Sequence, residues 1–476
     1  MNRRPGGYPP RGRRPVQREA RPTDPARRIA YDLLRAVQER EAYANLLLPT
    51  LLRERGVSGR DAAFATELAY GTLRGRGSYD AVLAACVDRG LDQVDPAVLD
   101  ALRLGAHQLL AMRTPPHAAV SETVDLVRSL IGEGPARFAN AVLRKVSARD
   151  LDGWTAQVAP AFETDPAGHL AVAHSHPVWV VNALRDALVA GTDNNSGGWD
   201  EVAQLLRANN ARPQVTLVAR PGRAEVAQLL DAGAEPGRWS PYAAVLPEGD
   251  PGGLALVRSG AAGVQDEGSQ LVALALAQAE VAGDERHWLD LCAGPGGKAA
   301  LLAGLAAQRS IALLAVEQAE HRAGLVAKTL AGAPGDHQVV CADGRDAPWR
   351  SGGFDRVLVD APCTGLGALR RRPESRWRRT PADVPALAGL QRELLRSGLD
   401  AARPGGLVAY VTCSPHLAET RMVVEDVLAE RAGAVQPVDV GALLAVPDTG
   451  PGPYAQLWPH RHGTDAMFLA LLRRVR

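Results

Sequence analysis

Two of the five cysteines in this chain stand where chemistry is done. Cys363 lies in D-A-P-C-T-G (360–365) and Cys413 in T-C-S-P (412–415), each just after an apolar run of strand character. One buried cysteine at a strand end would be ordinary core filler. Two at neighbouring strand ends, each beside Pro or Ser and sharing a crevice with Asp360, point to a reactive pair. Upstream, 288–298 reads W-L-D-L-C-A-G-P-G-G-K, a short strand, a turn of Gly and Pro, and the start of a helix. That is the entrance of a nucleotide-type site in an open α/β sheet, with Cys292, Ala293, Gly294, Pro295, Gly296, Gly297 and Lys298 as its wall. Glycines let the backbone approach a ligand closely, and the helix N-terminus offers N–H donors. A Walker loop is excluded, because Cys292 and Ala299 hold the positions that need Gly and Ser or Thr. Ligands of such sheets bind at the carboxyl ends of the strands. There Glu317 follows Gly297 by 20 residues, the spacing of an acid that holds ribose hydroxyls. Asp343, in C-A-D-G-R, can accept from the amino group of a bound base.

These residues need a scaffold, and the pattern supplies one. Strand candidates at 287–291, 311–316, 338–341, 356–360, 407–412 and 467–472 alternate with helices at 298–307, 320–330, 385–402 and 418–430. Residues 281–476 therefore read as a doubly wound, Rossmann-like α/β domain. Residues 26–150 read as an all-α domain: Ile29, Leu33, Leu34 and Val37 fall at helical spacing, and Pro96, Pro115, Pro116 and Gly134 mark short loops. Between them, 155–280 mixes helix and strand and is a small α+β subdomain, RRM-like in its alternation. The stretch 191–198 (G-T-D-N-N-S-G-G) is a loop or hinge. The fold class is thus multidomain. In the helical part, Arg35, Arg74, Arg76, Arg103, Arg137 and Arg144 are candidates to face a nucleic acid, while His107 and His117 lack ligand partners and read as structural.

Composition bounds what such a protein can do. A net charge of +1 gives no global field, so any basic surface must be local. Lys145, Lys298 and Lys328 are the only lysines, which makes an ammonium at Lys298 stand out in an Arg-rich chain. Residues 1–28 hold nine Arg against Glu19 and Asp24, a net of +7 (9 − 2), with six Pro and three Gly. That segment is too poor in apolar residues to order itself, and a disordered basic arm is expected over 1–25. The cysteines form no CxxC pair and no metal-ligand spacing, so no metal is expected. Neither a signal peptide nor an apolar run of ~18 residues occurs. The expectation is a cytoplasmic, monomeric protein with no membrane contact.

The motifs together resemble those of the bacterial RNA cytosine-5 methyltransferases of the RsmB/Sun type. The likeness rests on C-A-G-P-G-G-K, D-A-P-C-T-G, T-C-S and V-Q-D-E-G-S (264–269), and runs from about residue 26 to the C-terminus. It implies a NusB-like helical domain ahead of a class I fold that uses S-adenosyl-L-methionine and acts on 16S rRNA. It also implies roles. Cys413 of the TC motif attacks carbon 6 of cytosine, Cys363 of the PC motif assists release, and Asp360 hydrogen-bonds the ring and its amine. For that Asp360 must hold a proton, which calls for a poorly solvated pocket. The loop 292–298 wraps the methionine and ribose side of the cofactor, Glu317 the ribose hydroxyls, Asp343 the adenine amine, and Asp360 lies between cofactor and target. DNA cytosine methyltransferases attack with the PC-type Cys, so exchanged roles stay open. Two departures stand out: Ala299 where Thr or Ser commonly follows the loop Lys, and D-A-M-F (465–468) in place of D-G-F-F.

RNA must also be held. Arg370, Arg371, Arg372, Arg376 and Arg378 flank Trp377 just after the PC motif, and guanidinium groups with an aromatic ring suit phosphate contact and base stacking. A target base facing two thiols in a crevice must be flipped out or single-stranded. Three readings remain open at this point: an rRNA methyltransferase, one acting on tRNA, and a non-catalytic RNA-binding assembly factor. Intact Cys363, Cys413 and Asp360 argue against the last.

Overall fold

The computed structural model describes residues 23–190, 198–346 and 348–476. Nearly all of the expected basic arm, and the 191–198 loop apart from Gly198, lie outside the described residues. The chain divides into two compact units: one of residues up to Ala42, Leu47–Thr72 and Val82–Trp154, and another of Tyr43–Leu46, Leu73–Ala81 and Thr155–Arg476.

The first unit is all-α, as its periodicity predicts. Helices Pro25–Glu39, Pro96–Leu110 and Pro116–Leu130 open on proline, where a missing N–H costs nothing because the first turn has no helical acceptor. The Asp24 and Asp95 side chains cap the first two of these by accepting from Arg27 N and Ala97 N. Ile29, Leu33, Leu102, Val127 and Leu143 are buried in the core. Two of the candidate arginines are spent internally: Arg35 and Arg103 grip buried Asp100 at 2.8 and 2.9 Å. A carboxylate removed from water needs such partners. Arg137 and Arg144 remain exposed.

The second unit holds two sheets. Strands β1 (Val215–Ala219), β2 (Glu235–Pro236), β3 (Ala243–Leu246) and β4 (Ala262–Val264) form an antiparallel sheet in the order β2-β3-β1-β4. Its own core gathers Leu217, Leu229, Ala244 and Ala262. Helix Glu267–Gln278 packs elsewhere: Leu271, Leu274 and Leu276 share a core with Trp288 and Leu301 of the large sheet and its helices. Apolar residues on nearly every face leave that helix only a fully buried position.

The large sheet contains β5 (His287–Asp290), β6 (Ala312–Glu317), β7 (His337–Cys341), β8 (Phe354–Asp360), β9 (Ala402–Thr412), β10 (Val435–Val438), β11 (Ala455–Gln456) and β12 (Phe468–Arg474). Its order is β10-β12-β9-β8-β5-β6-β7, with β11 pairing β12. The pairs among β5 to β9 are parallel, and β12 runs antiparallel to β9. Central strands buried on both faces read as continuous apolar runs, which is why β8 and β9 are legible in the sequence. Trp288 and Leu358 face the core shared with helix Gly297–Ala307, while Leu289, Val357 and Val359 face helix Asp383–Ala401. The chain leaves β5 toward β6 on one side and returns to β8 on the other, so the strand order reverses at β5. The carboxyl ends there form the crevice where such folds bind ligands.

Two local departures from expectation matter. Strand β10 carries Pro437 and lies at the sheet edge, the one place where a residue without an N–H fits a ladder. The helix expected over 418–430 is broken: a short turn at Leu417–Glu419 precedes helix Arg421–Glu430, with Thr420 between them at φ −123° and ψ −103°.

Candidate active site

Strand β5 ends in Asp290 and hands the chain to the glycine loop, and helix Gly297–Ala307 begins directly after it. Two glycines are required here. A Cβ on Gly294 would lie 2.2 Å from Glu317 Oε2, and Gly296 adopts φ +112° with Thr329 against it. Gly294 N donates to Glu317 Oε2 at 3.1 Å, and Arg322 donates to Gly294 O at 2.7 Å. Glu317 also accepts from Ala319 N at 3.0 Å and pairs with Arg322 at 3.3 Å. Its carboxylate thus stands at the loop, at the end of β6. Asp343 stands past β7, held by Arg345 at 2.7 Å and by Gln318 Nε2 at 3.1 Å. The hydrogen bonds from Arg345 hold its carboxyl below the usual range, which keeps it an acceptor. Arg322, Gln318 and Arg345 are absent from the sequence-based site, since nothing in their spacing marks them.

The two thiols meet. Asp360 of β8 is in register with Val411 of β9, so the loops that follow leave side by side, and Cys363 Sγ lies 3.5 Å from Cys413 Sγ. Lys298 Nζ donates to Asp360 Oδ2 at 2.8 Å. Burial works against the lysine's charge, but Asp360 and Cys413 beside it hold its ammonium above the ordinary range. The Cys363 S–H donating to Cys413 lowers the Cys413 thiol against the effect of burial, with Lys298 helping. The same hydrogen bond, then burial and the Cys413 charge, push Cys363 well up. The shared hydrogen bond and the neighbouring charges thus favour the thiolate form at Cys413 over that at Cys363. Burial and then the carboxylates around it push the Cys292 thiol up, which keeps it out of thiolate chemistry. Asp290 is fully buried, and burial with the nearby Asp360 charge pushes its carboxyl up to about 7.

Asp360, expected to face the target base, is paired here with the Lys298 ammonium.

The arginine run is corrected more heavily. Arg376 is fully buried, and its guanidinium donates to Ser175 O and Asn210 Oδ1, both at 2.8 Å, and toward the carbonyls of Arg74 and Asn209. It is a tie between segments and cannot reach phosphate. Arg371 forms a two-pronged pair with fully buried Asp465, and Arg370 donates to Gly463 O at 2.9 Å. Trp377 lies under Arg76, 5.6 Å from guanidinium to ring centre. Arg372 is exposed and Arg378 partly so, and both stack on half-exposed Tyr43 at 5.1 and 5.0 Å. A run of like charges in sequence does not share a face once the chain turns. The D-A-M-F departure is accommodated by backbone: Ala466 N donates to Gly367 O at 2.9 Å, and Gly367 N to Cys413 O at 2.8 Å. In V-Q-D-E-G-S, Asp266 caps helix Glu267–Gln278.

A doubly wound sheet with a glycine loop, acids at successive strand ends and paired thiols defines an α/β methyltransferase. Comparison with known proteins agrees. The model of the 16S rRNA methyltransferase RsmB/F family matches residues 276–473, and that of the NusB family matches 24–148. A Mycobacterium tuberculosis protein named as a methyltransferase is 54% identical over 98% of this chain and 99% of its own length. The ribosomal RNA small subunit methyltransferase B of Pseudomonas syringae is 32% identical over 94% of this chain and 97% of its own. The solved structure of PH0851 shares the fold with a TM-score of 0.77 at 21% identity, covering 95% of this chain and 99% of that one. The chain belongs to the RsmB/F family of methyltransferases, with a NusB domain at its N-terminus and S-adenosylmethionine as methyl donor. Among the described residues no helix is long and apolar enough to cross a membrane.

Proposed function

We propose that this enzyme methylates carbon 5 of a cytosine in 16S rRNA through a covalent bond from Cys413 to carbon 6. The observation that carries the reading is the unequal thiol pair, 3.5 Å apart beside the Lys298–Asp360 pair. S-adenosylmethionine supplies an electrophilic methyl group. Residues 292–298 with Glu317 and Asp343 fit it: Gly294 admits no Cβ, and a Cβ on Gly297 would meet nothing nearer than 3.7 Å.

Carbon 5 of cytosine is not nucleophilic by itself. The Cys413 thiolate adds to carbon 6 and breaks the C5=C6 double bond, pushing its electron pair into the ring. Asp360 accepts from the exocyclic amine, and Lys298 behind it provides the proton that the ring takes up. Once carbon 5 carries the methyl group, its hydrogen leaves as a proton and the S–C6 bond breaks, restoring the thiolate, while the ring returns to Lys298 the proton it took up. Cys363 takes part there. With Cys413 bonded to carbon, the hydrogen bond and charge that hold Cys363 protonated are gone, so Cys363 can release its S–H proton to water and then, as a thiolate, accept the proton from carbon 5. The half-exposed group of Tyr43, Arg372 and Arg378 suits RNA contact by stacking and charge. Relatives of this chain are named as small-subunit rRNA methyltransferases, and that favours 16S rRNA over tRNA.

The test uses Cys363→Ala and Cys413→Ala proteins with unmodified 16S rRNA and S-adenosylmethionine, run on a denaturing gel that preserves protein–RNA adducts. Cys363→Ala is expected to accumulate an adduct and Cys413→Ala to form none. The reverse pattern exchanges the two roles. Methyl transfer to tRNA alone moves the substrate, and none by the unmutated protein on either RNA sinks the reading.

A further inference from the structure

Behind the two cysteines lies a polar cluster that the chemistry above leaves unused. Glu419 is fully buried between β9 and helix Arg421–Glu430. Its Oε1 accepts from Thr364 N at 2.7 Å and from Gln391 Nε2 at 3.2 Å. Its Oε2 accepts from Ser414 Oγ at 2.7 Å and from the Thr364 hydroxyl. Thr364 directly follows Cys363, and Ser414 directly follows Cys413. One side chain therefore grips the residue after each thiol. Gln391 Nε2 also donates to Pro362 O at 2.8 Å, on the other side of Cys363. The Glu419 backbone is fixed as well, since Tyr410 Oη donates to its carbonyl at 2.7 Å and its own N–H donates to His416 O at 2.8 Å.

Four donors converge on two oxygens, the hydrogen-bonding complement of a carboxylate. Among the described residues no Lys or Arg pairs with it. An uncompensated buried charge costs several kcal/mol even after relaxation, whereas an uncharged amide could bridge two loops more cheaply. The charge itself therefore needs a reason, and its place supplies one. Cys413 is faced by Cys363, Asp360, Lys298, Asp465 and Arg371. Cys363 is faced by Cys413, Glu419 and Tyr410. Lys298 and Arg371 stand on the Cys413 side; on the Cys363 side Glu419 has no ion-paired Lys or Arg among the described residues, with His416 and Arg392 the basic groups nearest that cluster.

We propose that Glu419 is the positioning residue that makes the two thiols unequal: it holds their loops in contact and sets a buried negative charge beside Cys363, so that Cys363 remains the S–H donor and Cys413 the nucleophile. This rests on the reading of Cys413 as the attacking group.

Thiol reactivity tests it without RNA or methyl transfer. Full-length wild type, Glu419→Gln and Glu419→Asp are alkylated with iodoacetamide between roughly pH 6 and 9, where perturbed thiols titrate, and each cysteine is followed by peptide mass spectrometry. In the wild type Cys413 is expected to react faster than Cys363. Glu419→Gln, nearly isosteric but neutral, should shift the Cys363 profile to lower pH and narrow the Cys413:Cys363 rate ratio by about tenfold, one pK unit of thiolate. Glu419→Asp keeps the charge and should keep the ratio, while slowing adduct formation on RNA because the shorter side chain loosens the loops. A clamp with no electrostatic role would speed both thiols alike in Glu419→Gln and leave the ratio unchanged, which overturns the proposal. So would equal narrowing in Glu419→Asp. Should Glu419→Gln not fold, a wild type in which Cys363 is the faster thiol overturns it unaided. Failure of the methyl-transfer reading is seen separately, as absence of an adduct from Cys363→Ala whatever the alkylation rates.

Discussion

Two basic side chains of the second unit, Lys298 and Arg376, are held in opposite ways. Lys298, at the strand ends, has a carboxylate at 2.8 Å and keeps its ammonium above the ordinary range despite burial. Arg376, in the arginine loop, is met at bonding distance among the described residues by neutral oxygens: the Ser175 carbonyl, the Asn210 side chain and two more carbonyls. Burial, with Arg74 nearby, pulls it down to about 9, still charged at neutral pH. Burial alone therefore does not identify a working cation; its partner does. An ammonium beside a carboxylate at a crevice can pass a proton through that carboxylate. A guanidinium surrounded by carbonyls has nothing to exchange and serves as a tie.

The largest effect should come from breaking the crevice pair. Lys298→Gln removes the proton source and the cation near Cys413. Methyl transfer should fall by about 10³-fold, within the range for loss of a positioned acid, with thermal stability nearly unchanged. A kcat within tenfold of wild type would mean that Lys298 does not supply the proton. Arg376→Leu should act on the other side of the comparison. It strips buried carbonyls of their donor and should lower stability by about 3 kcal/mol, read as a drop in Tm, while methyl transfer per folded molecule and the salt dependence of RNA binding hold. A flatter salt dependence would return Arg376 to the RNA surface. The smallest effect belongs to Arg372→Ala combined with Arg378→Ala. Both groups are at least partly exposed on Tyr43, so folding and kcat should hold while RNA affinity falls by about tenfold at low salt, with the slope of log K against log salt reduced by roughly 2. A filter-binding salt titration measures it, and an unchanged slope would remove these two from the interface.

Much of the crevice is legible in residue order and spacing. The parallel strands announce themselves because β8 and β9 are apolar on both faces, and the residues at their carboxyl ends must share a crevice once the strands are neighbours. That brings Cys363, Cys413, Asp360 and Lys298 together from spacing alone. The arginine loop misleads for a physical reason. In the run 370–379 nothing distinguishes a guanidinium facing solvent from one that turns inward, because the loop follows no regular period and its partners Ser175, Asn210 and Asp465 are remote in sequence. Glu419 escapes notice in the same way. Six residues beyond Cys413, in L-A-E-T-R, it looks like a solvated helix charge, and only the break at Thr420 lets it turn beneath both thiols.

The sequence by itself determined the class of site. Residue types at strand ends follow from local pattern, and a glycine loop, acids and thiols at those ends leave little choice of chemistry. Only the tertiary structure decided the surroundings of these groups: which charges and hydrogen bonds face each thiol, which partner Lys298 meets, and which arginines are spent inside. Those outcomes depend on electrostatic partners brought within about 3–4 Å from distant parts of the chain, where a carboxylate or an ammonium outweighs the intrinsic preference of the residue.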